Sequence, residues 1–141
     1  MKYTFFEHTA DMGVEAEAPT LEQVFSLTAL GMQNMISDTS KVEEATSRII
    51  NVEAEDLKSL LYDFLEQFLI LFDSEGLLFS RIEVKSIKQE ENIYKLESKA
   101  YGDNFSSTKH ESKTHVKAVT YHGMIVEKRG ENWFTHVLFD I

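Results

Sequence analysis

A chain of 141 residues with a formal net charge of −10 and no cysteine is the size of one ordinary domain, able to bury roughly two-thirds of the surface its unfolded form exposes. The missing cysteines exclude disulfides, thiolate metal sites and a cysteine nucleophile. The acidity opposes phosphate backbones, whose binding rests on Lys and Arg; it would instead speed the encounter with a basic protein. Tight direct nucleic-acid binding is therefore not expected. There is no apolar run of about 18 residues, so no membrane span is expected, and Met1-Lys2-Tyr3-Thr4-Phe5 lacks the apolar stretch of a signal peptide. A cytoplasmic protein is the expectation.

In chain order, residues 2–7 and 13–18 read as two short strands, with Val14, Ala16 and Ala18 alternating against acids. His8 to Met12 would join them, putting Asp11 on a loop at a sheet end. Thr20 followed by Gln23 is a capping-box pattern. Leu21, Val24, Phe25, Thr28, Met32, Met35 and Ile36 then keep one face of a helix of about 17 residues, ending near Ser37. Residues 47–54 read as a strand. Glu53, Glu55 and Asp56 crowd the start of a second helix, where the dipole favours anions. Its stripe is Leu57, Leu60, Leu61, Phe64, Phe68, Leu71 and Phe72, widened by Leu65, Leu69 and Ile70, so deep burial is expected; Gly76 suits its end.

From residue 79 the period becomes two. Ile82 and Val84, then Tyr94, Leu96, Ser98 and Ala100, alternate with charged residues about a turn at Glu90-Glu91-Asn92, as in a half-exposed antiparallel hairpin. Residues 116–127 and 133–139 are apolar on both faces and read as central strands, joined by a hairpin turn at Lys128-Arg129-Gly130-Glu131-Asn132. The order predicts a single α+β domain over 1–141, with two main helices packed on a mainly antiparallel sheet.

Carboxylates mark both ends. Asp11 lies near the start, and the final strand carries Asp140 to the last residue, so that the Ile141 α-carboxylate sits beside the Asp140 side chain. Acids gathered from opposite ends of a chain either repel or hold a cation. Taken singly, Asp11 also suits an Asx-turn and Asp140 a fraying surface end. Of the five histidines, His110, His115 and His122 lack helical zinc spacing in a region that reads as strand. A structural or surface role is expected for each; His8 stands apart because Asp11 follows three residues later. Lys117, among Val116, Ala118 and Val119, either points out at a sheet edge or turns its charge toward the acids or a partner. No glycine-rich phosphate loop and no nucleophile elbow is present.

His8-Thr9-Ala10-Asp11, Val116-Lys117-Ala118-Val119-Thr120-Tyr121-His122 and Asp140-Ile141, in this order, with Gly102 at a strand end and Lys109-His110 upstream, resemble the archease family over the whole chain. The resemblance implies a non-catalytic cofactor protein that activates the RtcB-type RNA ligase of tRNA splicing and RNA repair, promoting its guanylation by GTP and its multiple turnover. It also implies a divalent-cation site at Asp11, Asp140 and Ile141, and a functional role for Lys117. Hard oxygen ligands suit Ca²⁺ foremost, with Mg²⁺ or Mn²⁺ as alternatives, over Zn²⁺. His8 is expected beside the cation rather than on it. Two other readings use the same residues differently. A small metal-dependent hydrolase would need a deep pocket beside Asp11, with a base such as His8 in reach of a bound water. A chaperone-like binding module would need an exposed apolar patch, which the core-facing helix stripes do not offer.

Overall fold

The computed structural model describes the backbone of residues 1–8 and 11–141, and the side chains of these residues except Glu7 and His8. In order, the chain forms β1 (Lys2–His8), β2 (Asp11–Ala18), α1 (Leu21–Ile36), a 3₁₀ turn (Thr39–Lys41), β3 (Thr46–Ala54), α2 (Leu57–Glu75), β4 (Leu77–Glu90), β5 (Ile93–Asn104), β6 (Ala118–Val119), β7 (Ile125–Arg129) and β8 (Asn132–Asp140). The α+β class holds, but the strands divide into two antiparallel sheets rather than one. The first runs β1-β2-β8-β6, with β7 pairing the other end of the same β8 edge; the second runs β3-β5-β4.

Both helices begin, and α2 ends, as their sequences direct. The Thr20 hydroxyl accepts from the Gln23 N–H at 3.1 Å, and the Asp56 carboxylate accepts from the Ser59 N–H at 2.7 Å, each satisfying an orphan donor of a first turn. Gly76 closes α2 in the left-handed region at φ 68°, where a Cβ would be strained. The end of α1 is closed by a distant segment. Residues 113–114 donate backbone N–H groups to Ile36 and Met35, both at 3.0 Å, and the Lys113 ammonium reaches the Asn34 carbonyl at 2.8 Å. With the Ser37 N–H on Gln33 at 3.0 Å, all four terminal carbonyls of α1 are satisfied.

The core lies where α1 packs on β2 and β4 and α2 packs on β3. Phe25, Phe64, Phe68, Phe79 and Phe139 are fully buried there. Phe64 meets Phe68, and Phe68 meets Phe79, edge to face at 5.1 and 5.5 Å between ring centres, a favoured aromatic arrangement. The second-helix stripe holds for Leu60, Leu61, Phe64, Leu65, Phe68 and Leu69, whereas Ile70 is 48% exposed, so the buried stripe is narrower than its apolar sequence. Polar side chains of α1 face the outer edge of β4. Gln33, Ser26 and Glu22 accept from the N–H groups of Phe79, Val84 and Ile87 at 2.9, 3.0 and 3.3 Å. A helix thus occupies the place where a further strand would pair.

The run 116–127 is not one central strand. It breaks into β6, a turn at 120–124 and β7. Both pieces lie on the same edge of β8, with Ala118 opposite Asp140 and Ile125 opposite His136. The apolar residues have another cause: Val116, Val119 and Met124 join the buried core while the residues between them are exposed or half-buried. His115 and His122 accordingly do not share a strand.

Gly102 sits where β4 bulges between Phe79 and Arg81. A Cβ there would overlap the Leu78 carbonyl oxygen and crowd the Phe79 Cα. Backbone atoms on a paired strand cannot step aside, so Gly102→Ala is expected to lower stability by about 2 kcal/mol or more. Guanidinium unfolding checks this: the midpoint falls at unchanged slope, and an unmoved midpoint counts against the close approach.

Candidate functional site

Asp11 and Asp140 are brought face to face by strand register. Antiparallel pairing of β2 with β8 sets Asp11 opposite Asp140, Gly13 opposite Leu138, and Glu15 opposite His136. Directly opposed residues share a face of the sheet, with Cβ atoms roughly 4.5–5.5 Å apart. This is the outer face. Val14, Ala16, Val137 and Phe139 alternate with these residues and point into the core. Asp11 is therefore the first residue of a strand, not part of a loop, and no Asx-turn is needed to hold it. Among the described residues no hydrogen bond engages either carboxylate. Ile141 follows Asp140 and is exposed. In the other direction β1 register sets the His8 backbone opposite Asp11; the side chain of His8, with Thr9 and Ala10, lies outside the described residues.

Lys117 stands on the far side of Asp140. Its backbone N–H donates to the Asp140 carbonyl at 2.8 Å, one residue before β6. Its side chain is exposed and enters no ion pair among the described residues. Of the two positions open to it, Lys117 takes the one at the sheet edge, because the run 116–127 is not a central strand. The segment that closes α1 ends three residues earlier, so capping of the helix fixes where Lys117 meets β8.

Sequence reasoning missed the residues below the acid pair. A cavity of about 270 Å³ is lined by Phe6, Asp11, His122, His136 and Leu138. His136 hydrogen-bonds the Glu15 carboxylate through Nδ1 at 2.8 Å, and its ring stacks on Phe6 with centres 4.7 Å apart. Phe6 reaches it by crossing Gly13, where a Cβ would overlap the Phe6 ring. The period-two spacing of Gly13, Glu15 and of His136, Leu138 marked these as one face; only the register shows that the two faces are the same. His110 is a buried structural histidine, accepting the Ser106 N–H at Nδ1 at 2.9 Å. No group of three or more His, Asp or Glu side chains among the described residues is arranged as a complete metal cage. The donor chemistry of the acid pair nonetheless fits a hard cation with open coordination positions.

On the opposite flank the rings of Tyr62 (α2) and Tyr121 stack in parallel, with centres 4.2 Å apart and planes 7° from coplanar. Burial holds the Tyr62 phenol above its ordinary pKa, followed by Glu66, with Tyr121, Asp63 and Asp140 adding to it. The field around that hydroxyl is negative and includes Asp140.

The Archease protein family model matches residues 3–141. Protein archease of Pyrococcus abyssi is 43% identical over 141 residues, covering 99% of either chain, and that of Thermococcus kodakarensis is 44% identical with the same coverage. Protein archease of Methanosarcina acetivorans is 39% identical over 140 residues, 99% of this chain and 96% of its own. The solution structure of Methanobacterium thermoautotrophicum protein 1598 superposes with a TM-score of 0.87 at 37% identity, covering 99% of this chain and 98% of that one. A Thermotoga maritima crystal structure, described as an archease and possible chaperone, shares the fold at a TM-score of 0.53 and 24% identity. By sequence over its whole length and by structure, the chain belongs to the archease family.

Proposed function

We propose that this protein activates an RtcB-type RNA ligase in tRNA splicing and RNA repair, in the cytoplasm, without catalysing a reaction of its own. It promotes guanylation of the ligase by GTP and multiple turnover. The observation that carries the reading is the Asp11–Asp140 pair, two opposed carboxylates at the outer end of the central strand pair in a chain of this family. A divalent cation, Ca²⁺ foremost with Mg²⁺ or Mn²⁺ as alternatives, would be held by these carboxylates and an Ile141 main-chain oxygen. Bound there, it would neutralise the acids and offer open positions to groups of the partner. The chain's own residues supply the rest. The carboxylates orient the cation, His8 flanks Asp11, and Lys117 orients the acids from the other side or contacts the ligase. The chain has no phosphate-cradling loop, so GTP chemistry stays with the ligase.

The cavity beside Asp11, with His122 and His136 on its wall, favours a metal-dependent hydrolase as a second reading. Cation-dependent hydrolysis of a model phosphodiester by the isolated chain, lost in Asp11→Asn, would support it over the first.

Three measurements bear on the proposal. Millimolar Ca²⁺, Mg²⁺ or Mn²⁺ should raise the melting temperature, since a ligand at a hundred times its Kd adds about 2.7 kcal/mol to the folded state; Asp11→Asn should lose most of that gain. A melting curve unmoved by all three cations sinks the cation site. With a purified RtcB-type ligase, GTP and metal, the protein should accelerate appearance of covalent guanylate on the ligase. Asp140→Ala, and a few residues appended after Ile141, should lose that acceleration with circular dichroism unchanged, and Lys117→Ala should lose less of it. Full activation by the first two would remove the acid pair from the mechanism. Filter binding to tRNA at physiological salt should show only weak association, about 10⁻⁴ to 10⁻⁶ M or poorer; a nanomolar complex would contradict a role through the ligase alone.

A further inference from the structure

The Tyr62–Tyr121 stack has no role in the proposed cation site, yet it adjoins it. Tyr121 is 51% exposed although one ring face lies on Tyr62, so its exposure falls on the other face and the edges. The open ring face of Tyr121 is apolar surface whose burial by a partner would be favourable at roughly 25 cal/mol per Å². The charge around it is one-sided. Asp63, Glu66 and Asp140 lie near enough to the Tyr62 hydroxyl to raise its pKa, and no ion pair among the described residues engages Asp63 or Glu66. An open aromatic face in a negative field matches one side chain best. A guanidinium is planar and weakly hydrated, stacks on aromatic rings, and donates to two carboxylates from the same plane.

We propose that the exposed face of Tyr121, backed by Tyr62 in the negative field of Asp63 and Glu66, seats an arginine of the partner protein. This rests on the reading that the partner binds RNA, because such a protein carries a surface of Arg and Lys. The net charge of −10 then steers that surface in, and the aromatic seat selects arginine within it. A lysine lacks the flat fork and stays hydrated. A nucleobase could stack on the same ring, but its phosphates would face the carboxylates.

The test has two arms. In the first, a capped tri-arginine peptide is titrated into the protein while the ring protons of Tyr62 and Tyr121 are followed by NMR, with tri-citrulline as the uncharged isostere. Saturable shifts at both rings are expected with arginine only, weakened in Asp63→Asn/Glu66→Gln and lost at Tyr62 in Tyr121→Ala. Equal shifts with citrulline, or silence with both peptides, overturns the proposal. In the second, guanylation of the ligase is measured against concentration of the protein. Tyr121→Ala should raise the half-saturating concentration about tenfold and Tyr121→Phe little, as expected for a desolvated cation on a ring. An unchanged half-saturation for Tyr121→Ala, or loss of binding to a short RNA instead, also overturns it. Rings that answer arginine in a protein that fails to activate the ligase would refute the ligase reading and leave the arginine seat standing.

Discussion

Everything at the functional end depends on the register of β2 against β8. A slip of either strand by one residue would turn its own core residues outward, Val14 and Ala16 on β2 or Val137 and Phe139 on β8, and turn its acid inward. Opposed like charges cost roughly 0.2–1 kcal/mol, whereas each buried Val or Phe contributes about 1.5–3 kcal/mol, so packing overrules the repulsion and holds Asp11 against Asp140. The register is pinned on both faces. Inside, the Thr28 and Thr135 hydroxyls meet at 2.8 Å while Thr28 also contacts the Val24 carbonyl at 2.6 Å, tying α1 to β8 through a pair buried from water. Outside, Glu15 and His136 bond across the same two strands with Phe6 over them.

A second chain of dependence comes from the helix end. The last turn of α1 carries no basic residue of its own. Its carbonyls instead recruit residues 113–114 and the Lys113 ammonium, which complement the negative end of the helix dipole. That contact draws the connection from β5 across the molecule and delivers Lys117 to the Asp140 carbonyl. The same short segment thus caps the helix and sets Lys117 on β8.

Much of this was legible in residues. The caps at Thr20, Asp56 and Gly76 act through local hydrogen bonds and backbone conformation, which short patterns encode. The stripe of α2 was legible because burial imposes a 3.6 period. The nearness of Asp11 and Asp140 came from a resemblance rather than from periodicity. Other features depend on contacts that no local pattern carries. The break at 120–124 was hidden because Val116, Val119 and Met124 reach the core from irregular chain as well as from strand, and apolar residues look the same in either case. The division into two sheets depends on which strand ends meet. Gln33 is polar in a helical stripe, yet it is buried because its Oε1 serves the Phe79 N–H. The Phe6–Gly13–His136 arrangement joins residues from three strands, and only the folded register reveals it.

The polar side chains that α1 lays along β4 have a consequence beyond the native fold. β4 is a 14-residue strand, long for the edge of a sheet, and three of its N–H groups, those of Phe79, Val84 and Ile87, are satisfied by Gln33, Ser26 and Glu22 instead of by a neighbouring strand. Were α1 to melt locally while the β3-β5-β4 sheet persisted, that edge would stand bare and ready to pair with the same strand of another molecule. The helix is in this sense a guard against self-association, and the colloidal behaviour of the protein in storage would follow the integrity of α1 more closely than that of the sheet it covers.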